Sequence, residues 1–391
     1  MDKRKTLIIK VAAGVIFIAF FSILLFLANQ DNPENYKTGT NSPVKYVKAK
    51  VIEVLQDNTQ TDENSEGLKR GHQLLEIMIL SGEHKGETQI IDNYLGLLYN
   101  VYAKEGTRII ARLDTHEGEF IASIYNYDRS FLIYGIIILF SALLCIIGGK
   151  KGFMALLGLV FTILCVMNIL VPMISKGVPV LPLTILIVIV TTIVCLVLLD
   201  GINPKTFSAI TGTILGVLVA GILAYIIGKL AHISGLNMEE AESMLLVATD
   251  NGLKIRNLLV AGILISALGA VMDTGMSISS AIYELHTVNP TMKALALFQS
   301  GMNIGKDAMG TMANTLILAF AGSSLNLVLM IFAYGIPFSQ IINTDLIAIE
   351  IIRAITASIG IILSVPIVAF IGSRVMTRKD KEHIVKLKKN L

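Results

Sequence analysis

LLVAGILISALGAVMDTGMSISSA, residues 258–281, is an apolar run long enough to cross a bilayer, yet it carries Asp273. About 20 apolar residues span a hydrocarbon core roughly 30 Å thick. A carboxylate at the centre of such a helix costs at least ~2.5–3.5 kcal/mol on insertion scales, so it belongs with a partner, a wet cavity or a pathway. Gly262, Ser266, Gly269, Asp273, Ser277, Ser280 and Glu284 follow one another in steps of three and four and share one helical face. Leu264, Ile265, Leu268, Val271, Ile278 and Ile282 form the opposite face, suited to lipid or to packing.

The same logic returns in SGMNIGKDAMGTMANTLILAF, residues 300–320, where Asn303, Asp307, Gly310 and Asn314 share a face with Thr311 and Thr315 alongside. Two such stripes facing each other make a hydrophilic seam. Its ligands are oxygens with no Cys or His among them, a set that suits a proton, sodium or another hard cation better than a soft metal. Glycines beside both acids permit unwinding or close approach, as in the broken helices of transporters. Residues 291–307 fit an interfacial helix, a re-entrant hairpin or the first half of a long seventh helix.

Around these stripes the composition is that of a membrane protein: 391 residues, 54% hydrophobic, 16% charged and a mean hydropathy of +0.70. Apolar windows at about 7–28, 131–149, 153–174, 180–199, 207–231, 257–283, 308–335 and 345–373 give eight expected spans. Basic flanks at Lys3 to Lys10, at Lys150 and Lys151, and from Arg374 to Lys389 fall on one side of an eight-span topology. Both termini are then cytoplasmic and residues 29–130 lie outside the cytoplasmic membrane. The first window reads as an uncleaved anchor rather than a signal peptide, because its apolar stretch is long and LANQ is a poor cleavage site. The net charge of +3 sits largely in the C-terminal tail, which reads as a topology signal and attraction to lipid and not as a nucleic-acid site. Cys145, Cys165 and Cys195 all fall in expected spans, so no disulfide scaffold is implied.

The domains follow: an anchor at 1–28, a polar linker at 29–44, an outer β domain at 45–128, a seven-helix core at 129–375 and a basic tail at 376–391. In the outer segment, period-two alternation at 46–55, 73–80, 87–92, 107–113 and 119–125 predicts five short strands, a small all-β barrel of OB or SH3-like type. DNTQTDENSEGLKRGH (57–72) reads as a long exposed loop and NYLGLLYNVYAKEG (93–106) as a helical plug. His72, His84 and His116 match no ligand spacing and read as surface residues; no metal or cofactor is expected.

Elsewhere in the core, Gly212, Gly216, Ala220, Ala224 and Gly228 recur every fourth residue and mark a helix-packing ridge, a role also assigned to Gly262 and Gly269. Glu350 and Arg353, three apart, read as a structural ion pair, and Pro366 should kink the last span. Glu239, Glu240 and Glu242, in the loop between the fifth and sixth spans, read as a solvated acidic face.

GEHKGE (82–87), GGKKG (148–152), ALGAVMDTGMSISSAIYEL (267–285) and SGMNIGKDAMGTMANTLILAFAG (300–322) carry a resemblance to the YibE/F-like membrane proteins of bacteria, over about 45–375. The resemblance implies a multi-pass protein, without a substrate. Three functions remain. The first is a permease for a small cation or a cation-coupled solute, with its path between the sixth and seventh helices and Asp273, Asp307, Asn303, Asn314, Ser277, Ser280 and Thr311 along it. The second is an envelope scaffold whose barrel binds a partner. The third is an intramembrane aspartyl enzyme using Asp273 and Asp307, although HExxH, GxSxG and Walker motifs are absent. A homo-oligomer or an accessory subunit is compatible with any of them.

Overall fold

The computed structural model describes residues 21–29, 44–63, 65–97, 100–116, 119–233 and 255–389. The chain divides into two compact units, Pro33–Leu143 and Met1–Asn32 with Leu144–Leu391. Most of the expected anchor and linker, and the acidic loop with Glu239, Glu240 and Glu242, lie outside the described residues, as does the side chain of His116.

In the unit Pro33–Leu143, β1 (Lys45–Asp62), β2 (Leu68–Ile79), β3 (Thr88–Leu95), β4 (Arg108–His116) and β5 (Glu119–Tyr127) form one antiparallel sheet in the order β3-β2-β1-β4-β5. Alternation decides the core: Val47, Ala49 and Val51 on β1 meet Leu75, Ile77 and Ile79 on β2 and Ile109, Ala111 and Leu113 on β4, all of them buried. The half-barrel brings its two outer strands together through a side chain. Gln89 of β3 donates to the Phe120 carbonyl at 2.9 Å and accepts from the Ala122 amide at 2.8 Å on β5.

Two expectations for this unit are corrected. Residues 57–72 are a hairpin, because β1 and β2 keep pairing as far as Asp62 with Leu68. Glu66 and Gly67 both adopt positive φ, 54° and 77°, the backbone of a tight primed turn that polar strands need no apolar face to follow. Residues 93–106 contain no helix among those described. Asn93, Tyr94 and Leu95 complete β3, and the buried amides of Gln73 and Asn93 hold the next segment extended. Gln73 bonds both the N–H and the carbonyl of Ala103 at 3.0 Å, and Asn93 donates to Val101 at 2.8 Å.

Asp57 ties that segment to the hairpin. Its carboxylate accepts from the Thr59 hydroxyl at 2.5 Å, the Tyr102 hydroxyl at 2.9 Å, the Thr59 amide at 3.0 Å and Gln73 at 3.2 Å. The Thr59 hydroxyl, above all, holds the Asp57 carboxyl below the usual aspartate range.

In the membrane unit, residues 21–29 form α1, whose Phe21 ring lies 5.1 Å from that of Phe161 and whose Asn29 donates to the Asn168 carbonyl at 3.1 Å. α2 (Ser130–Cys165) turns sharply at Gly149, where φ is 53° and ψ is −133°. The Leu144 carbonyl there closes on the place a Cβ would take on Gly152, so GGKKG is a turn between two helical stretches. A π-turn (Val166–Leu170) leads into α3 (Val171–Ser175), followed by α4 (Val180–Asp200) and α5 (Pro204–Leu230). Asn203 caps α5 by accepting from the Thr206 amide at 2.8 Å, with Pro204 at the first helical position. α6 (Ile255–Val288), α7 (Ala294–Ser323), α8 (Leu325–Ala333), α9 (Phe338–Ile341) and α10 (Asp345–Lys389) complete the unit. α10 passes through Pro366 as one helix and continues into the expected basic tail.

Among the described residues, five helical runs are long and apolar enough to cross a membrane, or six if α7 and α8, bent by 57°, form one span. Eight were expected. The run Ser130–Ser175 counts once despite its break at Gly149, and only the last part of the first window is described.

Candidate functional site

α6 sits at the centre of the helical unit. Ile263, Ala267, Val271, Ile278 and Ile282 are fully buried against α5, α7 and α10. Of the two roles open to the apolar face, lipid or packing, the structure gives it packing. Gly262, Ser266, Gly269, Asp273, Ser277 and Glu284 are exposed on the opposite side, with Ser280 half-buried at its edge. Among the described residues Asp273 makes no hydrogen bond and no ion pair, and a Cβ added at Gly262 or Gly269 meets nothing within 4 Å.

α7 repeats the arrangement. Leu297, Gly301 and Gly305 are buried, while Asn303, Lys306, Asp307, Gly310, Thr311 and Asn314 are exposed. A Cβ on Gly301 falls 2.6 Å from Ile282, and one on Gly305 falls 3.3 Å from Ile278, so α6 and α7 run antiparallel in a fixed register. Carrying that register along both helices sets Asn303 level with Ser280, Lys306 with Ser277, Gly310 with Asp273 and Asn314 with Gly269. The two stripes match in depth. Each points away from its own helix's buried side, so they do not close a seam inside one chain, and no hydrogen bond joins Asp273 to Asp307. The Thr311 hydroxyl turns back to the Ala308 carbonyl at 2.9 Å. Beside Gly269, α2, α4 and α6 enclose a cavity of about 290 Å³, lined by Met154, Gly158, Thr162, Cys195 and Met272 among others.

The remaining sequence-assigned residues occupy different surroundings. A Cβ on Gly212 runs into Val368, and one on Gly216 falls 2.8 Å from Ser364 and 3.1 Å from the Gly360 carbonyl, so α5 and α10 meet backbone to backbone. Gly228 is buried, although among the described residues nothing lies within 4 Å of a Cβ added there. Glu350 and Arg353 pair at 2.9 Å, Arg353 lies 6.0 Å from the centre of the Phe320 ring, and Glu350 Oε2 and Arg353 Nε are buried without hydrogen-bond partners among the described residues.

The structure adds polar groups that spacing alone did not single out. The Ser208 and Ser279 hydroxyls lie 2.6 Å apart between α5 and α6, and Ser279 donates to the Lys205 carbonyl at 2.7 Å. Thr213 Oγ1 is buried with no hydrogen-bond partner among the described residues, 2.9 Å from the place a Cβ would take on Gly275. Asp200 pairs with Lys205 at 3.0 Å and with Lys151 of the GGKKG turn at 3.8 Å. The run SISS offers Ser277, Ser279 and Ser280 to either face, and only Ser279 is fully buried. The signal available for Asp200 was charge alternation across a short loop between two apolar runs.

The family model for YibE/F-like proteins matches residues 136–378, more than half of the chain. The chain belongs to the YibE/F-like family. The match takes in the GGKKG turn, both polar stripes and the Asp200–Lys205 pair, and it begins after the β domain, so the YibE/F-like region is the helical one. No curated protein and no solved structure matches the chain.

Proposed function

We propose that this YibE/F-like protein is a permease for a small cation, or for a solute coupled to one, with its path along the polar faces of α6 and α7. The observation that carries the reading is Asp273, which lies near the middle of a 34-residue helix, on the face away from the core, with no partner among the described residues. A structural carboxyl tied to hydroxyls would show those bonds. One left free of them is available to a proton or a cation.

The matched register turns the two stripes into a ladder. Asn314, Asp273, Ser277 with Asp307, and Asn303 with Ser280 succeed one another at intervals of about one helical turn. Thr311 adds a further hydroxyl. A hard cation loses its water only where several oxygens replace it, and such a ladder offers neutral oxygens between two carboxylates. In the same reading α2 contributes two spans and residues 7–28 another, giving eight, with both termini cytoplasmic and the β domain outside a bacterial cell. The strand order, with β3 and β5 meeting through Gln89, favours the OB type of barrel.

Currents from purified protein in liposomes on a solid-supported membrane test the function. Protons, sodium, potassium, magnesium and manganese are scanned with Asp273→Asn as the paired control. A cation-dependent current that disappears in the variant is the expected result; a current unchanged by the substitution removes Asp273 from the path. The scaffold reading is favoured by the open space over Gly262, Gly269 and Gly310, which suits a packing partner. It predicts no current and a partner captured by the same face.

A further inference from the structure

The polar face of α6 and α7 is incomplete in one chain. Asp273 and Lys306 are both exposed, both near the middle of their helices, and neither has an ionic or hydrogen-bonded partner among the described residues. Among the described residues nothing lies within 4 Å of a Cβ added at Gly262, Gly310 or Gly269, the last at the rim of the cavity walled by α2 and α4, whereas Gly216, Gly275, Gly301 and Gly360 are each met by a neighbouring helix. Small residues in membrane helices admit close backbone approach, and a charge in lipid needs a partner.

We infer that a second copy of this chain covers this face, so that the ion ladder lies between two protomers. The charges select that occupant. In a two-fold dimer with its axis along the membrane normal, each patch meets itself and residues of equal depth oppose one another. Lys306 is level with Ser277, one turn from Asp273, which is within reach of a lysine side chain. Asp273 of one copy then faces Lys306 of the other, which holds the carboxylate when no cation is bound and gives it up to one, and the same pairing recurs across the axis. A face carrying one sign of charge would repel itself; this one is self-complementary. The glycines at Gly262, Gly269 and Gly310 let the helices approach closely enough for both pairs to form, and Asp307 and Asn303 remain to line the space between them.

The inference builds on the polar stripes of the proposed pathway but needs no flux, so the two can fail separately. With Cys145, Cys165 and Cys195 replaced by alanine, Ser277→Cys is oxidised with copper phenanthroline in membranes, beside Ile222→Cys on exposed α5 as control. A covalent dimer is expected for Ser277→Cys at least tenfold above the control. Asp273→Lys and Lys306→Asp should each reduce that yield at least tenfold, and the two together should restore it. Cross-linking no faster than the control, or a double variant no better than the single ones, overturns the inference. So does a disulfide within one chain to a cysteine placed among residues 7–20, which assigns the cover to the first span. Should the variants not fold, native mass spectrometry of the unaltered protein released from nanodiscs still decides: a dimer is expected, and monomer at every dilution overturns the proposal.

Discussion

The contact between α5 and α10 and the outward faces of α6 and α7 are built from the same small and polar residues and end differently. In the first, Gly212, Gly216 and Gly360 disappear under Val368, Ser364 and Ala220. In the second, Gly262, Gly269 and Gly310 stand under open space beside Asp273, Asp307 and Lys306. Lipid is as apolar as leucine and gives helices no hydrophobic reason to associate, so close packing of small residues becomes the main attraction between them. A filled glycine face is part of the fold. An open one is a surface held in readiness for something else, and the acids on it mark that something as polar.

The largest effect expected is on the filled face. Gly216→Val sets a branched side chain against Ser364, Val271 and the Gly360 carbonyl, at 2.8, 3.0 and 3.1 Å from its Cβ. Overpacking there should lower stability by about 3 kcal/mol, seen as a fall in melting temperature and in monodisperse yield. A variant that melts like the parent breaks the comparison at its root. Next, Lys205→Met leaves Asp200 only the 3.8 Å contact with Lys151, with the Asp200 side chain 16% exposed. A loss of about 2 kcal/mol is expected, less than for a fully buried pair because water reaches the site; an unchanged melt would show that the turns at Gly149 and Asn203 need no ionic tie.

Acid sharpens the contrast between carboxylates. Asp57 is ligated on every side and its carboxyl is held below the ordinary range. Its contribution is complete above the unfolded value, near pH 3.9, and fades as pH falls through the lower folded one. Hydrogen exchange in β1 and β2, corrected for pH, should therefore quicken only on the acid side of about pH 4, and Asp57→Asn should flatten the response; quickening that persists in the variant assigns it to another group. The smallest effect belongs to the open face. Gly269→Ala meets nothing within 4 Å and should shift the melting of detergent-solubilised protein by no more than about 0.5 kcal/mol. A loss as large as that of Gly216→Val would mean that the face is already covered.

The sequence revealed long apolar helices, five or six of them among the described residues against eight expected spans, and it revealed which residues share a face, because helical periodicity is rigid. It did not reveal which face turns inward. Leu264 and Val271 suit lipid and core equally, so only the tertiary contacts of α6 decide. Alternation gave the β domain's core, while the outer half of its first hairpin, with little to bury, looked like loop until the Glu66–Gly67 turn and the ladder from Asp57 to Asp62 were in view. Residues 93–106 carry apolar spacing compatible with a helix, but Gln73 and Asn93 bond the backbone of Val101 and Ala103 and hold it extended.

One amide side chain in the β domain also bears on how copies of such a protein coexist at high density. A sheet that is not closed by a ladder offers its outermost strands as templates for a foreign strand, the route to aggregation. Gln89 occupies the Phe120 carbonyl and the Ala122 amide, two of the groups a newcomer on β5 would need. Neighbouring copies crowded together are thereby denied a place on β5 to add strand to strand, and a single glutamine acts as a guard against polymerisation.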